Sequence, residues 1–288
     1  MKIEIVYFSG TGNTWWMVQK LKSFLEEKGN EVETIPYESR ERENYPTKNA
    51  QLFGVAFPVY EGGSPINMEE YAYKLKARKG LKCFVLTTYW IHNQPASTDY
   101  AHLLKKRGME PIFTTGIKMP MNVNLSIFPV SKKSTSTKKQ KIAKIKEEAL
   151  THIEEIAMAL HNGKKVGIDK IGFFQNIWYQ GSRWAHYQIL NKKGIKWINK
   201  RLKVSENCIK CRKCVEECPV QNIVMTDKGI EFKNQCIVCA RCWNFCPQKA
   251  IYVKDIPLGQ YIGIDEGYKP PKIENNETKV RQGDVSYV

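Results

Sequence analysis

The chain has 288 residues, which at roughly 150 residues per domain indicates about two domains and a core that needs no disulfides. The net charge of +16 leaves nucleic acid, an anionic membrane surface and an acidic protein as candidate partners. No apolar run approaches the roughly 20 residues that span a bilayer, and the first residues do not form a signal peptide. We therefore expect a cytoplasmic protein without a transmembrane segment, in which thiols stay reduced.

Short apolar runs alternate with helical patterns over the first 160 residues. Strands are predicted at 3–8, 31–36, 51–58, 81–88 and 111–119. Apolar residues at helical spacing lie between them, for example from Trp15 to Leu25. This alternation predicts an α/β fold with a doubly wound, five-stranded parallel sheet, whose ligands bind at the carboxyl ends of the strands.

Two other segments lack this alternation. Residues 163–203 are rich in aromatic and basic residues, and we predict a helical connector there, with a helix on a membrane surface as the alternative. From Arg183 to Lys213 there are ten Lys or Arg residues and one acidic residue, Glu206. This stretch predicts a basic docking face, with a solvated surface that binds nothing as the alternative. Residues 257–288 are polar and predict an extended C-terminal arm.

Eight of the nine cysteines form two copies of the motif Cys-x2-Cys-x2-Cys-x3-Cys-Pro. The copies comprise Cys208, Cys211, Cys214 and Cys218, then Cys236, Cys239, Cys242 and Cys246. This spacing is that of bacterial proteins with two 4Fe-4S clusters, in which the fourth cysteine ligates the other cluster. We therefore expect two clusters, whose ligand sets are Cys208, Cys211, Cys214 and Cys246, and Cys218, Cys236, Cys239 and Cys242.

The cysteine-rich region, from about 205 to 255, resembles bacterial-type ferredoxins with two 4Fe-4S clusters. A zinc site is the alternative, but four-cysteine zinc sites usually separate two Cys-x2-Cys pairs by a longer span. A redox dithiol is disfavoured because the Cys-x2-Cys pairs overlap.

The ninth cysteine, Cys83, lies in an apolar strand and is predicted to be a buried structural thiol. Four cations lie within the cysteine loops, where they either favour the reduced clusters or simply face solvent: Lys210, Arg212, Lys213 and Arg241.

A loop rich in glycine and hydroxyl groups follows the first predicted strand and opens the first helix. It consists of Ser9, Gly10, Thr11, Gly12, Asn13 and Thr14. Glycine lets the backbone fold around an anion, and a helix N-terminus presents N–H groups to it. There is no Gly-Lys-Ser/Thr ending of an ATPase loop, and Trp15 stands where a dinucleotide fingerprint has Gly or Ala. The loop therefore predicts a site for a phosphate monoester, with a capping loop that binds nothing as the alternative.

The same loop resembles the FMN phosphate loop of flavodoxins, and the resemblance covers residues 1–160. It implies a flavodoxin-like sheet with bound FMN, whose ring lies between the loops after the third and fourth strands, often beside aromatic residues. Packing without a ligand is the alternative for the aromatic residues. The ring-binding residues that the resemblance implies are Pro58, Val59, Tyr60, Gly62 and Gly63 on one side and Thr88, Tyr89 and Trp90 on the other.

Taken whole, the chain resembles fused flavodoxin–ferredoxin proteins. The predicted domains are a flavodoxin-like FMN domain at 1–162, a connector at 163–203, a small α+β ferredoxin domain with two 4Fe-4S clusters at 204–256 and the arm at 257–288. The predicted function is electron transfer between the clusters, FMN and a redox partner protein of acidic character, in an anaerobic setting because such clusters are sensitive to oxygen.

Two other functions were weighed against this one. A flavin-dependent reductase of a small molecule, with His92 as proton donor, is the main alternative, and the sequence names no catalytic residue beyond it. Nucleic-acid binding is disfavoured because the basic residues are spread over two redox modules and no recognised motif is present. The sequence leaves homo-oligomerisation open.

Overall fold

The structure is a computed structural model, which describes residues 1–60, 62–90, 96–121, 135–166, 193–255 and 268–272. The predicted proton donor His92 and ring-loop residue Glu61 lie outside these residues, as do most of the predicted connector and most of the arm. Within the described part of the chain, no helix is long and apolar enough to cross a membrane.

Five parallel strands form the sheet of the first domain. Their bounds are β1 Lys2–Tyr7, β2 Glu31–Pro36, β3 Leu52–Pro58, β4 Lys82–Tyr89 and β5 Glu110–Lys118. The strand order is β2-β1-β3-β4-β5, which is the order of flavodoxin-like sheets, and every neighbouring pair is parallel. This confirms the predicted fold class. The strand order reverses at β1 and β3, so their carboxyl ends bound the expected ligand crevice.

Helices cover both faces of this sheet, as a doubly wound fold requires. They are α1 Asn13–Glu27, α2 Ile66–Lys74, α3 Ala96–Lys106 and α4 Thr135–His161, with a 3₁₀ helix at Arg40–Asn44. Because side chains alternate along a strand, Ile3 and Ile5 face one core cluster, with α1 and α4, while Val6 faces the other, with α2 and α3. Both faces of the inner strands are therefore buried, which explains why β3 is a continuous apolar run, whereas the edge strand β2 is only partly buried.

The second domain is small and is built from short elements around its own core. Its elements are α5 Ile195–Arg201, β6 Leu202–Val204, α6 Lys213–Glu216, β7 Ile223–Thr226, β8 Gly229–Phe232, α7 Arg241–Asn244 and β9 Ile251–Val253. Strand β6 pairs with β9 and β7 pairs with β8, both antiparallel. This agrees with the predicted small α+β domain.

The backbone of the second domain repeats with its cysteine motifs. Residues 28 apart in the two motifs share an unusual left-handed conformation, as the φ values of 64° at both Arg212 and Ala240 show. The same holds for Lys210 and Val238, at 55° and 57°. Each left-handed residue at Arg212 or Ala240 is the N-cap of a one-turn helix that carries the third cysteine of its motif. The sequence repeat is therefore also a repeat of loop geometry.

Candidate functional site

The structure groups the cysteines in the two crossed sets that the spacing predicts. Cys208, Cys211 and Cys214 of the first motif line one small cavity together with Cys246 of the second. The pKa of the Cys214 thiol is raised to about 12, first by burial and then by Cys246, Cys208 and Cys211 as neighbouring negative groups. Cys211 is exposed at the rim of this cavity, so the first set lies close to solvent.

The second set is more deeply enclosed. Burial raises the pKa of Cys239 to about 12 and that of Cys236 to about 11, and both also feel Cys218 as a negative neighbour. Burial likewise raises the pKa of Cys242, with Cys236, Cys239 and Cys218 contributing. Cys218 and Cys239 are buried, and Cys236 and Cys242 are half-buried. As thiolates these side chains would repel one another, and the iron of a cluster would supply the positive charge that offsets the repulsion.

Backbone N–H groups point at several of these sulfurs. Asn222 N–H donates to Cys218 Sγ at 3.2 Å, and the residue 28 positions later, Ala250, donates to Cys246 Sγ at 3.3 Å. Hydrogen bonds to cluster sulfurs are one of the ways by which proteins set cluster potential. Among the described residues, no group of three His, Cys, Asp or Glu side chains is arranged to hold a single metal ion.

The phosphate-loop residues lie at the carboxyl end of β1 and at the N-terminus of α1. Gly12 has a φ of 106°, and backbone N–H groups of Gly12 and Trp15 converge on Ser9 Oγ, at 3.2 Å each. No side chain of the N-cap caps α1, and its first turn has no acidic residue. Buried Asn13 Oδ1 has no hydrogen-bond partner among the described residues. Ser9 Oγ therefore caps this end of α1. A glycine-rich loop that leads into a helix N-terminus is nevertheless the kind of place at which proteins bind phosphate groups.

The two predicted ring loops lie side by side at the carboxyl ends of β3 and β4. Val59 N–H donates to the Thr88 carbonyl at 2.8 Å, and the Thr88 hydroxyl lies 2.8 Å from that of Thr14. Tyr60 and Gly63 exchange two backbone hydrogen bonds around Gly62, which has a φ of 84°. The remaining members of this group are half-buried: Pro58, Tyr89 and Trp90. All the described loop residues that the sequence singled out are thus brought to one edge of the sheet.

Tyr60 occupies a particular position among them. A Cβ on Gly10 would lie 2.3 Å from the Tyr60 hydroxyl and 2.7 Å from the Cys239 carbonyl oxygen. Burial raises the pKa of Tyr60, and Cys239 is the next largest cause. The Tyr60 hydroxyl and the Cys239 backbone therefore both lie against Gly10 of the phosphate loop, and only glycine fits at position 10.

Arg241 contradicts one interpretation of the sequence, because its side chain is 1% exposed and does not face solvent. Its guanidinium donates to the Ser9 carbonyl at 2.6 Å and forms a salt bridge of 2.5 Å with Glu38. The sequence groups Arg241 with Lys210 and Arg212, which are indeed exposed. No local pattern separates them, because the partners of Arg241 come from a different domain.

Glu38 and Tyr268 are two contact residues that sequence reasoning missed. Glu38 follows β2, and the order β2-β1-β3 places its loop beside the phosphate loop. The position of Glu38 at the carboxyl end of a strand next to β1 was the available signal. Tyr268 belongs to the predicted arm; its hydroxyl donates to the Ser9 carbonyl at 2.6 Å, and its ring lies 5.5 Å from that of Trp15. The described piece of the arm thus covers the phosphate loop.

Residues 193–251 match a family described as a 4Fe-4S dicluster domain. No curated protein matches the chain significantly. In structure the chain is similar to a flavodoxin from the domain Archaea, at 18% identity and a TM-score of 0.37, over 54% of this chain and 99% of that one. It is also similar to Flavodoxin 2 from Bacillus cereus, at 19% identity and a TM-score of 0.41, over 55% of this chain and 97% of that one.

A third similar structure is the rubredoxin oxygen:oxidoreductase from Desulfovibrio gigas, at 12% identity and a TM-score of 0.35, over 55% of this chain and 37% of that one. These likenesses concern the fold, which the strand order already establishes. The chain joins a flavodoxin-like domain to a 4Fe-4S dicluster domain, and this combination gives it a redox role.

Proposed function

We propose that this protein carries electrons between two 4Fe-4S clusters, an FMN and a redox partner protein, in a reducing compartment such as the cytoplasm. Each cluster exchanges one electron at a time, whereas bound FMN exchanges one or two. The observation that carries the proposal is the contact between the two modules. The backbone of Cys239 and the side chain of Arg241 lie directly against Gly10 and Ser9 of the phosphate loop.

The cysteines would hold the clusters in the crossed sets described above. Cys208, Cys211, Cys214 and Cys246 form the set near solvent, and Cys218, Cys236, Cys239 and Cys242 form the buried set. Because each motif lends its fourth cysteine to the other set, the two clusters would be close neighbours within one domain. Short separation favours electron exchange between them.

The flavodoxin-like domain would hold FMN by its phosphate and its ring. Ser9, Thr11, Asn13 and Thr14 supply hydroxyl and amide groups around the N-terminus of α1, where the helix dipole favours an anion. The loops around Tyr60 and Trp90 would flank the ring. The residues present fit this group in chemical type, because the loop supplies hydroxyl, amide and backbone N–H groups at a helix N-terminus and has no basic side chain of its own.

The exposed rim of the first cysteine set would be the docking face. Ile209 is 60% exposed there, and Lys210 and Arg212 are exposed beside it. An apolar centre with a basic rim fits an acidic partner, which such charges would attract and orient. Electron transfer at this face should therefore slow as salt screens the charges.

The test is to mix the reduced protein rapidly with an acidic ferredoxin or flavodoxin under anaerobic conditions. The rate at which this partner is reduced is measured at several ionic strengths. We expect a second-order rate that falls steeply with salt. A rate constant that does not change with ionic strength would contradict the proposed docking face. Saturable turnover of a small oxidant at the flavin, with no reaction between the proteins, would favour the reductase alternative instead.

A further inference from the structure

We infer that the buried cluster set, Cys218, Cys236, Cys239 and Cys242, is the one that exchanges electrons with the flavodoxin-like domain, and that Arg241 holds it there. This inference rests on the proposed function and goes beyond it by giving the relay an order. In that order the partner reaches the exposed set, the exposed set reaches the buried set, and the buried set reaches the FMN. For electron flow out of the protein the order is reversed.

The two cysteine motifs are alike in sequence but are placed differently. Cys211, the second cysteine of the first motif, is exposed, whereas its counterpart Cys239 is buried. Lys213 precedes the third cysteine of the first motif, is half-exposed and pairs with Glu217 at 3.5 Å. Arg241 takes the same place in the second motif and is buried between the domains. Only the second motif is therefore built to face the other domain.

The backbone of the second motif touches the phosphate loop directly. The Cys239 carbonyl oxygen lies 2.7 Å from the position that a Cβ on Gly10 would take, so the two backbone segments meet without a side chain between them. The Tyr60 hydroxyl lies at the same place. The electron acceptor in FMN is the ring, and Tyr60 belongs to a loop that would flank this ring. The contact therefore places a ligand of the buried set beside a ring loop as well as beside the phosphate loop.

Arg241 makes this approach through several donors at once. It donates to the carbonyls of Ser9 and Gly10 in one domain, at 2.6 and 3.3 Å, and to the carbonyl of Glu217 in its own, at 3.2 Å. It also pairs with Glu38 at 2.5 Å. The planar guanidinium presents five N–H donors in a fixed fork, which a lysine does not. Arg241 is therefore a positioning residue, which acts by fixing one domain against the other.

The loop serves both neighbours because its peptide groups have two sides. The carbonyls of Ser9 and Gly10 accept from Arg241. A phosphate oxygen also accepts, so it would use donors of the loop and not these carbonyls; the N–H groups of Gly12 and Trp15, for example, donate to the Ser9 hydroxyl oxygen. Binding of Arg241 and binding of a phosphate thus use different atoms. In the transfer step the reduced cluster loses one electron and the FMN gains it, and no bond is made or broken.

The experiment compares Arg241→Gln with Arg42→Gln in the protein loaded with iron, sulfide and flavin. Arg42 is a matched control because its positive charge also lowers the pKa of Glu38. Its side chain, however, stacks on Tyr37 within the first domain. Arg241→Lys is the second variant, which keeps the charge and loses the fork. Iron and flavin contents are measured first, so that each variant is compared at equal loading.

We expect hydrogen exchange of residues 9–12 and 236–242 to rise by about 100-fold in Arg241→Gln, the factor that about 3 kcal/mol gives for a broken buried ion pair. We also expect electron transfer from cluster to flavin after rapid reduction to slow by about tenfold or more, because small losses of alignment cost at least this much. Arg241→Lys should show an intermediate effect, and Arg42→Gln should match the unaltered protein.

Unchanged exchange and unchanged transfer in Arg241→Gln would overturn the inference, as would an equal effect of Arg42→Gln. Either result leaves the proposed function standing if iron and flavin are present. Absence of iron or flavin from the unaltered protein would instead overturn the proposed function itself. If Arg241→Gln does not fold, hydrogen exchange and electron transfer are compared between Arg241→Lys and Arg42→Gln instead. Equal values in these two variants would overturn the inference.

Discussion

Arg241 Nη2 and Glu38 Oε1 lie 2.5 Å apart, and both side chains are 1% exposed. Burial raises the pKa of Glu38, and the Arg241 guanidinium opposes this rise. Burial alone would lower the pKa of Arg241, but the Glu38 carboxylate raises it. A guanidinium is not deprotonated in proteins, and its charge favours the carboxylate form of Glu38 beside it, so this buried contact joins the two domains as an ion pair.

Replacement of Glu38 by Ala should destabilise the protein strongly, because it leaves the Arg241 charge buried without its partner. We expect a loss of about 3–5 kcal/mol in the free energy of unfolding, as for other broken buried pairs. Urea unfolding followed by tryptophan fluorescence measures it. The control is Glu43→Ala, which removes an exposed carboxylate near Arg42 and should change stability by less than about 1 kcal/mol. Equal effects of the two changes would contradict this account of the interface.

Gly12→Ala tests the contact between the phosphate loop and the arm. Its φ of 106° disfavours any L side chain, and an added Cβ would lie 3.1 Å from the Tyr268 ring. Gly29 is a matched control, since it has a φ of 77° and nothing within 4 Å of an added Cβ. We expect Gly29→Ala to cost about 1–2 kcal/mol from backbone strain alone, and Gly12→Ala to cost more. The difference between these two losses of stability should become smaller when Tyr268 is also replaced by Ala. A difference that stays the same would contradict the contact between Tyr268 and Gly12.

The crossed ligand sets make a prediction about the fourth cysteines. Cys246→Ala should remove the cluster of the first motif, and Cys218→Ala that of the second, although each lies in the other motif. Iron should fall from about eight to about four per chain in each variant, and the remaining EPR signals should differ. Cys83→Ala is the control and should keep all the iron, because Cys83 is buried in β4. Iron loss in Cys83→Ala, or identical residual spectra in the two ligand variants, would contradict the assignment.

Charge reversal separates the docking face from other basic surfaces. Lys210→Glu and Arg212→Glu should each slow reduction of an acidic partner at low salt, because they turn attraction into repulsion at the rim of the exposed cluster set. Lys228→Glu makes the same change at the exposed turn between β7 and β8 and should have a smaller effect. The second-order rate constant at several salt concentrations is the measurement. Equal slowing by Lys228→Glu would indicate a general charge effect without a defined face.

Local patterns accounted for much of this molecule. An apolar run predicted β3 to within one residue, because a strand buried on both faces has a continuous apolar signature. The edge strand β2 is only partly buried, and its predicted bounds, 31–36, are the observed ones. The cysteine spacing predicts crossed ligand sets, and Cys208, Cys211, Cys214 and Cys246 do line one cavity. The lone thiol Cys83 is buried as predicted, and burial raises its pKa to about 12.

The interface between the domains was not predictable in the same way. Arg241 resembles its neighbours Lys210 and Arg212 in sequence, and only the approach of Glu38 from a distant segment distinguishes it. Likewise, nothing near Tyr268 indicates that it packs on Gly12, more than 250 residues earlier. Such contacts depend on how two folded units meet, which periodicity and spacing do not encode.

Anaerobic quantitation of iron, sulfide and flavin, together with EPR of the reduced protein, tests the central claim most directly. The account predicts about eight irons, about eight sulfides and about one FMN per chain, with the signals of two interacting 4Fe-4S clusters. Zinc in place of iron, or a protein that holds iron but never binds FMN, would contradict it.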